Sequence, residues 1–300
     1  MAWDPYLYSE LLDSGLSREQ LRRLVGAGDL DRLSRGVYAR ADGSAARGGT
    51  PAPGELRLRF NRRLAALFRR LPPGAVIGFH TGARLHGFGA VESSAVHVIV
   101  PAGVVVPRVR GVVVHEAVLP VRDPVLLDGV PCAPAARCAV DLARALRRMD
   151  ALPMLDLCLR AGACGPDDLL AEVARHARLR GVCQARALIR IADPRAECRQ
   201  ESQLRLLLID GGLPAPQPQL WVPDRNGIPL FRLDLGYRER RVGIEYDGRT
   251  HLDRDRLRRD RARMNWLAAN GWQMRHFTDR DLYHHPAQIV TTVRSLLLTR

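Results

Sequence analysis

"LFRLDLGYRERRVGIEYDG", residues 230–248, decides how the chain is read. Two runs of alternating apolar and polar residues flank a charged turn, which is the pattern of a β-hairpin. Side chains alternate across a strand, so Glu245 and Asp247 project from one face and Val242, Ile244 and Tyr246 from the other. In the preceding strand Leu233 and Leu235 flank Asp234. A turn centred near Arg238 and Glu239 sets Asp234 roughly opposite residues 243 and 244, diagonal to Glu245. Carboxylates this close raise one another's pKa and are costly to bury without a counter-charge. Oxygen-only ligation suits Mg2+ or Mn2+, which take a few carboxylates and keep waters free for a phosphate. The competing reading is a surface ion-pair network in which Arg232, Arg241 or Arg249 neutralises the acids.

The flanks of the hairpin extend the pattern. Upstream, "RAECRQESQLRLLLIDGGL" predicts an amphipathic helix that carries Glu201 in its first turns and stops at Gly211 and Gly212. "PAPQPQLWVPDRNGIPL" predicts a strand and a turn at Asn226-Gly227. Downstream, "HLDRDRLRRDRARMNWLAANGW" predicts a charged helix with Leu257, Met264 and Leu267 inward and a stop at Gly271. "QMRHFT" predicts a last strand and "DLYHHPAQIVTTVRSLLLTR" a last helix.

At the other end, Ser17 and Gln20 in "GLSREQLRRLVGAGDLDRLSRGVYAR", residues 15–40, form a capping box that opens a helix with Leu21, Leu24 and Val25 inward. Gly26 and Gly28 end it, and a small hairpin follows. This is the pattern of a winged helix-turn-helix, on which Arg18, Arg22 and Arg23 are candidates to face DNA phosphates. The bland alternative is a helical cap with a solvated basic face. "ADGSAARGGTPAPG", residues 41–54, reads as a linker. From 55 to 194 helices and strands mix, with no catalytic constellation. There His80, His86, His97 and His115 look scattered and structural, and Asp141 and Asp156 look like capping or solvated residues.

The net charge of +14 favours polyanionic partners, nucleic acid first. All 46 basic residues are arginine, which ties part of that excess to GC-rich codon usage. The six cysteines contain no CxxC pair, the spacing that usually closes a zinc tetrahedron, so a structural zinc is not expected. No apolar run approaches the ~20 residues of a membrane helix. Asp4, Glu10 and Asp13 interrupt any signal-peptide pattern. The expectation is a cytoplasmic protein with reduced thiols.

From Glu201 to the terminal helix, the chain resembles the PD-(D/E)XK nuclease superfamily and, more narrowly, the DUF559 group similar to very-short-patch-repair endonucleases. The residues that carry the likeness are Glu201 in "ESQLRLLL", Asp234 in "FRLDLGY", "VGIEYDGRTH", Asp260 and Arg261 in "RRDRARMNWL", "GW" at 271–272 and "TDRDL" at 278–282. The resemblance implies a restriction-endonuclease-like αβ core with Mg2+ or Mn2+ held by Asp234 and Glu245. It further implies Glu201 orienting water or metal, Asp247 and His251 as a second acidic and acid-base pair, and Arg261 stabilising charge on the phosphate. Asp247 stands where the superfamily's motif has lysine, a form common in the narrower group. The front of the chain resembles the winged-helix region of AbiEi-type antitoxins.

The α/β (α+β) chain is thus expected to have a winged-helix-like DNA-binding module at 1–45, a mixed α/β middle domain at 55–194 and a nuclease-like domain at 195–300. The sequence supports two functions. One is a metal-dependent DNA endonuclease that hydrolyses phosphodiester bonds. The other is a non-enzymatic DNA-binding transcriptional regulator or antitoxin-like protein with a degenerate nuclease fold. DNA is the expected partner, and the middle domain is a candidate to contact a partner protein.

Overall fold

The structure is a computed structural model and describes residues 5–34, 36–41, 62, 64–89, 95–106, 109, 111–248 and 254–298, without the side chains of 34 and 254–259. Contacts divide the chain into two compact units, one formed by residues 1–86 with 91–138 and the other by 87–90 with 139–300. Helices that the sequence places in a middle domain therefore share a unit with the carboxyl-terminal sheet.

The first unit opens with β1 (Tyr6–Leu7), α1 (Tyr8–Asp13), α2 (Arg18–Ala27), β2 (Leu30–Ser34) and β3 (Val37–Arg40), its strands forming a sheet in the order β1-β3-β2. The capping box is present: Gln20 N donates to Ser17 Oγ at 3.2 Å, and Ser17 N donates to Gln20 Oε1 at 2.7 Å. Gly26 lies inside α2, and the stop is Gly28 alone, at φ +77° in the left-handed region that glycine tolerates. Leu11, Leu21, Leu30 and Tyr38 make the small core, so α1, too short to show a period in sequence, is held by packing.

The same unit holds a second sheet of five strands, ordered β6-β5-β4-β8-β7: β4 (Val76–Ile77), β5 (Val96–Pro101), β6 (Val112–Ala117), β7 (Val125–Leu127) and β8 (Val130–Cys132). Helix α3 (Phe79–Leu85) follows β4 directly, and α4 (Ala135–Ala145) leaves β8. Leu64, Ile77, Val98, Val100 and Cys132 are among the buried side chains of this core.

In the second unit α5 (Arg148–Arg160), α6 (Pro166–Arg175), α7 (Val182–Ile189) and α8 (Arg199–Asp210) precede a four-stranded sheet, ordered β12-β11-β10-β9. The strands are β9 (Gln217–Pro223), β10 (Pro229–Tyr237), β11 (Val242–Tyr246) and β12 (Gln273–Phe277). β9, β10 and β11 form an antiparallel meander, and β12 returns parallel to β11 after the crossover helix α9 (Arg254–Ala269). One sheet face packs Leu235, Val242 and Ile244 against Leu204 and Leu208 of α8 and Ile289 and Val293 of the last helix. Leu220, Val222 and Leu233 pack with Leu267 of α9 and with Trp272. The expected single terminal helix is two, α10 (Asp279–His284) and α11 (Pro286–Leu298), because Pro286 lacks the N–H needed to continue a helix and suits the first position of a new one.

Helices α5 and α8 are joined by polar contacts. Pro153 lies inside α5 and has no N–H for the carbonyl of Met149 one turn back, which accepts instead from Gln203 Nε2 of α8 at 3.0 Å. Asp156 is buried and accepts from Arg205 Nη2 at 2.8 and 3.1 Å. The expectation that Asp141 and Asp156 are solvated or capping is corrected here. Both lie inside, Asp156 in this pair and Asp141 beside Arg144 at 3.0 Å, because a buried carboxylate requires a charged partner.

Candidate functional site

Helix α8, the strands β9 to β11 and helix α9 bring the acidic residues together. Glu201 sits in the first turn of α8 and is 6 % exposed. Its Oε2 accepts from Glu197 N at 2.9 Å and from Gln219 Nε2 at 2.8 Å. Gln219 holds a backbone φ of +51°, uncommon for a residue with a side chain, in the middle of β9. Leu220 pairs with Leu233 and Pro218 with Leu235, so Gln219 lies at the level of Asp234. Leu233 and Leu235 enter different core clusters on either side of that level. The irregularity therefore falls where the acids gather, and it aims the Gln219 amide at Glu201.

The pairing of Leu235 with Ile244 and Gly236 with Gly243 continues to put Asp234 directly opposite Glu245. The diagonal arrangement expected from sequence is corrected: the turn occupies 238–241, with Arg241 at φ +50°, and shifts the register by two while keeping both acids on one face. Asp234 Oδ2 accepts from Tyr246 N at 2.9 Å. Burial raises the Asp234 carboxyl, opposed by the Tyr246 hydrogen bond and Arg263, with the Asp247 charge adding to the rise. Burial likewise raises Glu201, and the Asp234 charge adds to it.

Glu245 is 8 % exposed and is ion-paired with Arg263 of α9, whose Nη2 bonds Oε1 while Nη1 lies 3.2 Å from Oε2. Burial raises Glu245, and Arg263 opposes that rise. Asp247 is exposed just past the end of β11 and lies 3.2 Å from His276 Nδ1, which is 3.9 Å from Glu245 Oε2. Register explains the reach, since Glu245 pairs with His276 in the parallel β11–β12 ladder.

The structure thus gathers Glu201, Asp234, Glu245 and Asp247. Arg261 is exposed on α9, and Arg263 rather than Arg261 is the helix residue that meets the acids. Arg263 lies one helical turn before the buried Leu267, a spacing that marks the inward face. His251, expected to act in acid-base chemistry, falls outside the described residues. Gln219, Arg263 and His276 complete the site and were not singled out from sequence. The ion pair also differs from the expected network, which named Arg232, Arg241 and Arg249. Arg232 pairs instead with Glu197 at 3.0 Å.

All-oxygen donors are the right chemistry for Mg2+ or Mn2+. The arrangement does not fit one, because Asp234, Glu245 and Asp247 do not place three oxygens within 4.8 Å of one another and Arg263 already neutralises Glu245. Among the described residues, the three ligand atoms that do lie mutually within 4.8 Å belong to His86, Cys132 and Cys138.

In the first unit, Arg18, Arg22 and Arg23 all lie exposed on α2. With about 100° between successive residues of a helix, Arg18 and Arg22 point about 40° apart and Arg23 about 100° beyond Arg22. Arg18 and Arg22 therefore share a flank of the helix, about 60° and 100° from the inward Leu21, and Arg23 lies about 160° from it.

Residues 8–41, the segment with α1, α2 and the hairpin, match the family described as "Transcriptional regulator, AbiEi antitoxin". Residues 75–191 match the "AbiEi antitoxin C-terminal domain". Two proteins from strains of Mycobacterium tuberculosis, "Uncharacterized protein MT2308" and "Uncharacterized protein Rv2248", are each 32 % identical over 279 residues, spanning 93 % of this chain and 96 % of theirs. The chain belongs to the same family as these mycobacterial proteins. AbiEi antitoxin domains are found at its front and in its middle, where the sequence alone had suggested them only at the front. Neither matched stretch reaches α8, so the nuclease likeness of the acidic site rests on its residues alone. The crystal structure of the RV2827C protein from the same organism is similar at a TM-score of 0.42 and 16 % identity, covering 66 % of this chain and 75 % of that one. Among the described residues, no helix is long and apolar enough to cross a membrane.

Proposed function

We infer that this protein is a DNA-binding transcriptional regulator of the AbiEi antitoxin kind, with α2 as its phosphate-facing element. The observation that carries the reading is the match of residues 8–41 to an antitoxin regulator, laid over a capped helix with Arg18, Arg22 and Arg23 exposed. Helix, turn, helix and hairpin in that order support a winged-helix module with the two-stranded β2–β3 hairpin as its wing. Arginines on one helix flank neutralise phosphates and release counterions, so binding is salt-sensitive. The test is duplex binding by the full chain beside Arg18→Ala/Arg22→Ala. Salt-dependent binding weakened in the variant supports the reading, and equal binding by both proteins removes α2 from it.

A Mg2+- or Mn2+-dependent endonuclease is the second reading, favoured by the convergence of Glu201, Asp234, Glu245 and Asp247 around a strained Gln219. It requires Arg263 to release Glu245 before a divalent ion is held, so the regulator reading asks less of the site as it stands. Incubating DNA with the ion, using Asp234→Ala and Glu245→Ala proteins as controls, separates the two readings.

A further inference from the structure

The fold assembles one set of soft metal ligands from three separate elements, the three residues themselves all lying in the first unit. Cys132 ends β8, where it pairs with Ile77 of the neighbouring strand β4. Cys138 lies in the first turns of α4, and His86 follows the last residue of α3. Both thiols are 0 % exposed, while His86 is half-buried and so forms the solvent side of the cluster. His86 Nε2 lies 3.8 Å from Cys132 Sγ, and one ligand atom from each residue falls within 4.8 Å of the other two.

A second observation concerns the space around the sulfurs. A Cβ on Gly82 would come within 2.4 Å of Cys138 Sγ and 3.5 Å of Cys132 Sγ. Gly82 precedes His86 by one helical turn, so α3 turns a bare backbone patch and an imidazole toward the two thiols. Glycine at 82 is what lets the sulfurs approach the helix.

We propose that His86, Cys132 and Cys138 form a binding site for a thiophilic d10 metal ion, Zn2+ in the first instance. Two thiolates and an imidazole are the ligand types such ions select, and three protein ligands leave a fourth position on the His86 side for water or another donor. His86 Nε2 lies 2.8 Å from the Ala133 carbonyl, and Cys138 Sγ lies 3.5 Å from it. Binding releases one proton from each of the two thiols to solvent, and the neutral His86 ring carries its single proton on Nδ1 so that Nε2 is free for the ion. The site links α3, β8 and α4, so loading it tightens the packing of the five-stranded sheet with its helices. This proposal is independent of the DNA-binding reading.

The test loads the full-length, reduced protein anaerobically with Zn2+ or Co2+. One Zn2+ per chain, a sulfur-to-cobalt charge-transfer band in the Co2+ form, and a zinc-edge absorption spectrum fitted by two sulfurs with at least one nitrogen are expected. Cys132→Ser and Cys138→Ser should each weaken or abolish the charge-transfer band, whereas Cys183→Ser, at an exposed cysteine, should leave it intact. The absorption spectrum is read on the unaltered chain, so it decides the matter even if the cysteine variants fold poorly. Zinc absent after loading, or a first shell containing only oxygen and nitrogen, overturns the proposal. So does a charge-transfer band that survives both Cys132→Ser and Cys138→Ser.

Discussion

Replacing Arg18 and Arg22 together with alanine tests the DNA-facing role of α2 quantitatively. Both side chains are exposed on one flank of a helix whose caps and inward Leu21 are untouched by the change, so the fold of the module should be kept. Each phosphate contact on duplex DNA contributes about 0.9 to the slope of log affinity against log salt. Loss of two contacts therefore lowers the slope magnitude by about 1.8, and near 0.15 M salt this corresponds to roughly 30-fold weaker binding if counterion release supplies all of their contribution. Arg23→Ala, on a different azimuth, should lower the slope by no more than about 0.9. Fluorescence anisotropy of a labelled duplex across a salt series gives both quantities from one titration. A double variant that is folded, as shown by circular dichroism, and keeps the slope of the unaltered protein would refute the assignment of α2 as the phosphate-binding element.

Three further outcomes follow from the packing and the titrating groups. Arg205→Met leaves Asp156 buried and unpaired and should cost about 3–5 kcal/mol in chemical denaturation, whereas Arg195→Ala, at an exposed pair with Asp193, should cost less than about 1 kcal/mol. Gln219→Val places a β-branched side chain at φ +51° and should destabilise the protein by about 1–3 kcal/mol more than Gln219→Gly, although both lose the bond to Glu201. His97 and His115 share a 2.9 Å Nδ1···Nε2 contact and are each lowered to about 4, first by burial, with His115 and His80 adding to His97 and His80 adding to His115. The unfolded chain takes up protons on them at a higher pH than the folded chain does, so the stability they contribute is present above about 6.5 and is lost as pH falls toward 4. His115→Gln should flatten that loss in denaturation curves collected between these pH values.

Local patterns carried much of the reading in both units. The capping box of α2, the glycine stop after α8, the β10–β11 hairpin and the α9 crossover all follow from short-range chemistry that the sequence displays. The register inside the hairpin did not, because the turn places Arg241 in a left-handed conformation that no glycine or asparagine announces in "RERR". Arg263 was within reach of the helical period through Leu267, but a charged residue on an inward face is easily read as surface. His276 reaches the acids only through parallel pairing of β11 with β12, a contact between strands separated by α9. The histidines of the front unit show the same limit more strongly. His80, His97 and His115 cluster around Phe79, and His86 meets two cysteines, because three strands and two helices converge there. A rule that looks for closely spaced cysteine pairs cannot find ligands brought together by tertiary structure.

We infer that this chain binds DNA as a regulator rather than cutting it. The most direct measurement incubates the full chain with labelled duplex in EDTA and in Mg2+ or Mn2+, following binding and strand length in the same samples, beside Asp234→Ala and Glu245→Ala. Salt-sensitive binding in EDTA by all three proteins and intact DNA in either ion are expected. Metal-dependent cutting by the unaltered chain that both variants lose, or no duplex binding even at low salt, would contradict the inference.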